Sequence, residues 1–83
     1  MAKELARLPG WTREGRAIVR TYRFADFRGA LAFVNRVGEL AERQNHHPDI
    51  AIHYREVTLT LWSHDAGGVT ERDFRLAAAI DAA

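Results

Sequence analysis

The chain has 83 residues, enough for one domain with a modest core. A formal net charge of +1 supplies no general attraction to nucleic acid or to an anionic membrane. With no cysteine it forms neither a disulfide nor a thiolate metal site, so good packing and self-association are the aids left to a domain this small.

Met1 to Leu8 carries charges throughout and does not read as a secretory signal. No stretch is long and apolar enough to cross a bilayer, and a cytoplasmic protein is expected. Pro9-Gly10 is a turn signal, followed by a short strand over Trp11 to Arg13 and a turn at Glu14-Gly15. Ala17 to Phe24 reads as a strand in which Ile18, Tyr22 and Phe24 share one face, with Arg20 the misfit. Asp26 is placed as an N-cap. Behind it Phe27, Ala30, Leu31, Val34 and Ala41 recur at helical spacing, widened by Phe33, Val37 and Leu40.

That helix must stop near Asn45, which tolerates the left-handed conformation of a C-cap. Pro48 holds His47 in extended geometry. Ile50, Ile52 and Tyr54 alternate as a strand, Arg55-Glu56 connects, and Val57, Leu59 and Leu61 alternate in the next strand. Ala66-Gly67-Gly68 is a loop, and Thr70 caps a last helix carrying Phe74, Ala77, Ala78 and Ile80. The order β-β-α-β-β-α, with room for a short N-terminal helix, predicts an α+β fold: a four-stranded antiparallel sheet with helices on one face.

Chemistry concentrates in Glu42-Arg43-Gln44-Asn45-His46-His47-Pro48. Two adjacent histidines stand where a helix gives way to an extended segment, a placement typical of functional groups. Imidazole exchanges protons near neutrality at modest cost. Glu42 lies four residues before His46; on a continuing helix the two share a face, and a hydrogen bond would orient the imidazole. His64 ends the last strand with the parity of Thr58, Thr60 and Trp62, so it points away from the main core or lies in the turn beyond the strand. Thr70-Glu71-Arg72-Asp73 resembles a capping box with Asp73 at its third position, a structural role. Trp62, a large aromatic on a polar strand face, is expected to line a pocket, stack on a flat ligand or, most simply, pack against another subunit. His46, His47, His64 and Glu42 could supply the count for zinc, but neighbours on an extended chain point apart and no His-Glu-x-x-His helix is present, so no metal is expected.

Glu42-x-x-x-His46-His47-Pro48, then Tyr54, His64 and Asp73, resembles in type and spacing the signature of the pterin-4a-carbinolamine dehydratases. Gly10-Trp11, Phe24-x-Asp26-Phe27, Phe33-Val34-x-Arg36-Val37 and Thr70-Glu71-Arg72-Asp73 extend the likeness over nearly the whole chain. The resemblance implies a hydro-lyase that dehydrates 4a-hydroxytetrahydropterin to quinonoid dihydropterin without metal or cofactor, associated as a homodimer or homotetramer. It implies His46, His47 and His64 as the catalytic set, with His46 and His64 exchanging protons and His47 orienting the pterin. Glu42, Asn45, Pro48, Ser63 and Asp65 would surround the substrate, Glu42 also supporting His46, and Asp73 would give structural support. Two departures bear on pocket shape: Asp49-Ile50-Ala51 lacks the aromatic that often follows His-His-Pro, and Trp62 stands where a small residue is usual.

The alternative is a non-enzymatic dimerisation or adaptor module that binds a partner helix, a second role known in that family. Nucleic-acid binding through Arg16, Arg20 and Arg23 is disfavoured because their parity spreads them over both faces of a strand.

Overall fold

The computed structural model describes residues 2–83. Its elements are α1 (Ala2–Ala6), β1 (Thr12–Glu14), β2 (Ala17–Arg23), α2 (Phe27–Gln44), β3 (Asp49–His53), β4 (Glu56–Leu61) and α3 (Glu71–Ala82). The strands form one antiparallel sheet in the order β1-β2-β4-β3, and the helices cover one face of it. This is the α+β arrangement expected, short N-terminal helix included.

Register explains which face is buried. The ladder sets Ile18 against Leu61, Arg20 against Leu59 and Tyr22 against Val57. Ile18, Val57, Leu59 and Leu61 are completely buried, and Ala30 and Val37 of α2 with Leu76, Ala77 and Ile80 of α3 pack over them. Each buried Val, Leu or Ile side chain among them contributes roughly 1.5–3 kcal/mol by leaving water. On the uncovered face the hydroxyls of Thr21 and Thr58 meet across β2 and β4 at 2.9 Å.

The helices begin and end as the caps dictate. The Asp26 carboxylate accepts from the Gly29 N–H at 2.8 Å. Asn45, at φ 50°, ends α2 in the left-handed region, where a short polar side chain is tolerated. Thr70 and Asp73 close a capping box on α3.

Two local expectations are corrected. The inward face of α2 is Ala30, Val37 and Ala41, whereas Phe27 and Leu31 remain 46% and 39% exposed; helical spacing identified the apolar residues but not which of them meet the sheet. The β3–β4 turn is Tyr54-Arg55, with His53 paired to Glu56, because Tyr54 takes up the positive φ of 56° that the tight reversal needs. Arg20, the misfit of β2, does lie on the covered face. Its Nη1 donates to the Pro9 carbonyl at 2.9 Å and to Asp81 Oδ1 at 3.2 Å, and its guanidinium sits 4.5 Å above the Tyr22 ring. Asp81, on the last turn of α3, also accepts from Trp11 Nε1 at 2.9 Å and from the Tyr22 hydroxyl. Gly10 makes room for this cluster: at φ +94° a Cβ there would stand 2.7 Å from the Arg20 guanidinium carbon.

The same topology creates the site. Because β3 runs antiparallel to β4 and Asp49 pairs with Thr60, the segment leading into β3 lies beside the segment leaving β4. His46-His47-Pro48 is thereby brought next to Trp62-Ser63-His64, and the start of α3 closes the same end of the sheet.

Candidate active site

Asn45 turns the chain out of α2, and its N–H with that of His46 caps the last helical turn, the His46 N–H donating to Ala41 O at 3.1 Å. The reversal aims the His46 ring inward, where it is 8% exposed. There Nε2 lies 2.5 Å from Oδ1 of Asp73, which is fully buried. The other carboxylate oxygen of Asp73 accepts from Ser63 Oγ at 2.9 Å and from the Thr70 N–H at 2.8 Å. The Thr70 hydroxyl lies 2.7 Å from Ser63 Oγ. One carboxylate therefore ties the end of α2, the end of β4 and the start of α3 together, and no buried polar side-chain atom among the described residues lacks a partner. Such closure is what makes a buried charged group tolerable.

This arrangement corrects the partner expected for His46. Glu42 bonds not to His46 but to His47, Oε2 to Nε2 at 2.5 Å, with both side chains exposed. A shared face for residues 42 and 46 required the helix to continue, and the left-handed Asn45 ends it first. Asp73 has the structural role expected of it as a cap and, in addition, holds His46.

His64 sits on a tight loop. Ser63 and Gly68 exchange two backbone hydrogen bonds, of 2.8 and 3.2 Å, and Gly67 takes a φ of +71°. The His64 ring is exposed and stacks on Trp62 with centroids 3.8 Å apart and planes at 28°. At the mouth, Arg72 Nη2 donates to Asp65 Oδ1 at 2.6 Å; this hydrogen bond holds the Asp65 carboxyl below its usual range and raises the guanidinium above its own. Both are on the surface, so the pair orients more than it stabilises.

A cleft of about 290 Å³ lies between these elements. It is lined by Asn45, His46 and His47 after α2, by Trp62, His64 and Asp65 after β4, and by Arg72 of α3. The three histidines thus share one concave surface. Glu42 and Pro48 face the adjoining depression beyond His47, along α2. Ser63, expected at the substrate, is 1% exposed, spends its hydroxyl on Asp73 and Thr70, and does not line the cleft. Trp62 lies in the cleft wall against His64. Arg72 was not anticipated; its signal was its position between the cap Thr70 and the buried Asp73, which turns it outward over the loop. Among the described residues no three His, Asp or Glu side chains are gathered closely enough to hold a metal ion, and no helix is long and apolar enough to cross a membrane.

In comparisons with known proteins, residues 1–83 match the family described as Pterin 4 alpha carbinolamine dehydratase. A Thermomicrobium roseum protein named "Putative pterin-4-alpha-carbinolamine dehydratase" is 60% identical over 77 residues, 93% of this chain and 83% of that one. A Chloroflexus aurantiacus protein of the same name is 57% identical over 81 residues, 98% of this chain and 87% of its own length. Among solved structures, a Brucella melitensis protein described as transcriptional coactivator/pterin dehydratase superposes with a TM-score of 0.94 at 36% identity, covering 99% of this chain and 89% of that one. A pterin dehydratase-like RuBisCO assembly factor of the alpha-carboxysome shares the fold, with a TM-score of 0.75 at 24% identity over 88% of this chain and 87% of its own. On a match that spans its whole length, the chain belongs to the pterin-4-alpha-carbinolamine dehydratase family.

Proposed function

We propose that the 83 residues work as a single domain that dehydrates 4a-hydroxytetrahydropterin to quinonoid dihydropterin and water, a hydro-lyase reaction run by histidines without metal or cofactor. The observation that carries this reading is the cleft on which His46, His47 and His64 converge, two of them oriented by carboxylates. In the reaction the C4a–O bond breaks, the proton on N5 is taken up, and a C4a=N5 double bond forms. Hydroxide is a poor leaving group, so its oxygen must gain a proton as it departs. One group must therefore accept a proton and another must give one.

His46 suits the accepting role. An imidazole that donates from Nε2 to Asp73 keeps its lone pair on Nδ1, and the buried carboxylate stabilises the charge the ring gains. His64 suits the giving role, because its stacked ring leaves both nitrogens open to a ligand. His47, held at Nε2 by Glu42, would orient the pterin, and the polar groups of Asn45 and of the segment from Ser63 to Asp65 would meet its ring edge. Placed acid/base groups contribute about 10²–10⁴-fold.

The test is absorbance-monitored dehydration of freshly generated carbinolamine by purified protein. The wild type should accelerate it, and His64→Ala, a surface change that leaves the fold intact, should lose most of the acceleration. No acceleration by the wild type, or an unchanged rate in the His46→Ala/His47→Ala double variant, ends the reading.

Self-association as a dimer or tetramer is part of the same proposal. Ile50 and Ile52 on the edge strand β3 are 38% and 36% exposed, apolar surface of the kind a second copy covers. Sedimentation of the wild type against Ile52→Lys checks it; a monomeric wild type refutes it. The second reading, an adaptor for a partner helix, is favoured by exposed Phe27 and Leu31, four residues apart on α2. An intact catalytic rate in Phe27→Ser/Leu31→Ser separates that surface from the cleft.

A further inference from the structure

Each imidazole on the cleft has one restraining neighbour, and the third differs in kind. Asp73 holds His46 through Nε2 and Glu42 holds His47 through Nε2. His64 has no hydrogen-bonding side chain among the described residues; its ring contact is the indole of Trp62, 3.8 Å away and nearly parallel. The backbone beneath His64 is fixed by the paired hydrogen bonds of Ser63 with Gly68 and by Ser63 Oγ on Asp73. What remains free is rotation about the His64 side-chain bonds. An exposed side chain otherwise samples several staggered rotamers. Trp62 and His64 flank Ser63 and stand ring against ring at the start of the loop, and the stack removes that freedom.

A stack and a carboxylate restrain an imidazole differently. The carboxylate occupies a ring nitrogen. The indole occupies a ring face and leaves both nitrogens available. We infer that Trp62 is a positioning residue for His64: it holds the imidazole plane toward the cleft while keeping both nitrogens free to exchange protons with the bound substrate. The inference rests on the dehydratase reading for its kinetic consequence and on geometry alone for the stack.

The experiment separates the two. Trp62→Leu and Trp62→Phe are made in the wild type and in His64→Ala, with circular dichroism to check folding. Proton–nitrogen spectra of the histidine rings, with His64 assigned by its loss in His64→Ala, report the stack through the indole ring current. Trp62→Leu should move the His64 ring signals toward those of a free histidine, and Trp62→Phe should move them less. In turnover, Trp62→Leu should lower kcat by about tenfold with little change in KM, within the roughly 10²-fold that a misplaced group costs. Trp62→Phe should recover most of that loss. In the His64→Ala background Trp62→Leu should cost almost nothing further, because the two residues act as one unit.

An equal loss from Trp62→Leu in both backgrounds, a rise in KM with kcat unchanged, or a Phe variant as poor as the Leu variant overturns the positioning role. His64 signals insensitive to Trp62 overturn it whether or not the protein turns over. A wild type that shows the ring-current signature but no dehydration refutes the proposed function, and with it the kinetic half of the inference, while the stack stands.

Discussion

Asp73 permits stability and chemistry to be separated by exchanging a single oxygen for an amide nitrogen. Asp73 is fully buried; its Oδ1 faces His46 at 2.5 Å, and its Oδ2 accepts from Ser63 and the Thr70 N–H at 2.9 and 2.8 Å. Asp73→Ala strips partners from three groups in that interior and opens the capping box. Each buried donor left without a partner costs about 1–3 kcal/mol, and three such groups are stranded together. An 83-residue domain has on the order of 4–12 kcal/mol to lose, so this variant should be barely folded. Asp73→Asn behaves differently. With its oxygen in the place of Oδ2 it still accepts from Ser63 and Thr70, and stability should fall by only about 1 kcal/mol. Its NH₂ then faces His46 Nε2, which must present a lone pair, so the ring proton moves to Nδ1. The nitrogen proposed to take the N5 proton is then occupied, and the dehydration rate should drop by about 10²–10⁴-fold. Urea unfolding gives the first quantity and the absorbance assay the second. Wild-type turnover in Asp73→Asn would refute the tautomer reasoning, and an Asp73→Ala variant within about 0.5 kcal/mol of the wild type would refute the energetics.

At the other end of the sheet, Asp81→Asn should weaken the contacts to Arg20, Tyr22 and Trp11 and lower stability by about 1–2 kcal/mol without touching the dehydration rate, since none of these residues reaches the histidine cleft. Tyr22 supplies a pH signature. Burial first, then its hydrogen bond to Asp81, pushes its phenol well above the ordinary range. Below about pH 10 the phenol is protonated in both folded and unfolded chains, so its contribution is fully present; above that the unfolded chain ionises first and the contribution is lost as pH rises. Stability measured from pH 9 upward should therefore fall less steeply in Tyr22→Phe than in the wild type, and equal slopes would count against this. Gly10→Ala should cost roughly 1–3 kcal/mol, through the unfavourable φ and the displaced Arg20 guanidinium, and a silent variant by thermal melting would contradict it.

The boundaries of this fold were written locally. Asp26, Asn45 and Thr70 with Asp73 announce helix ends because a cap is an interaction among residues three or four apart, complete within the segment that carries it. Val57, Leu59 and Leu61 announce a buried strand face because alternation is a property of the extended backbone itself. The family signature was legible for the same reason: it is a set of residue types at fixed spacings.

Only the tertiary structure decided who meets whom. The direction of the His46 ring depends on rotation about the left-handed Asn45, which transferred Glu42 to His47 and handed His46 to a carboxylate 27 positions away. Arg20 reads as an error in its strand until Pro9 and Asp81 arrive from both ends of the chain to meet it. Phe27 and Leu31 belong to the apolar spacing of α2, yet the residues it buries are Ala30, Val37 and Ala41. Spacing constrains neighbours along an element, whereas the approach of two elements is set by how all their faces pack at once. That is why the caps, strands and candidate histidines could be read in order, and why the Asp73 hub and the Trp62–His64 stack required the folded chain.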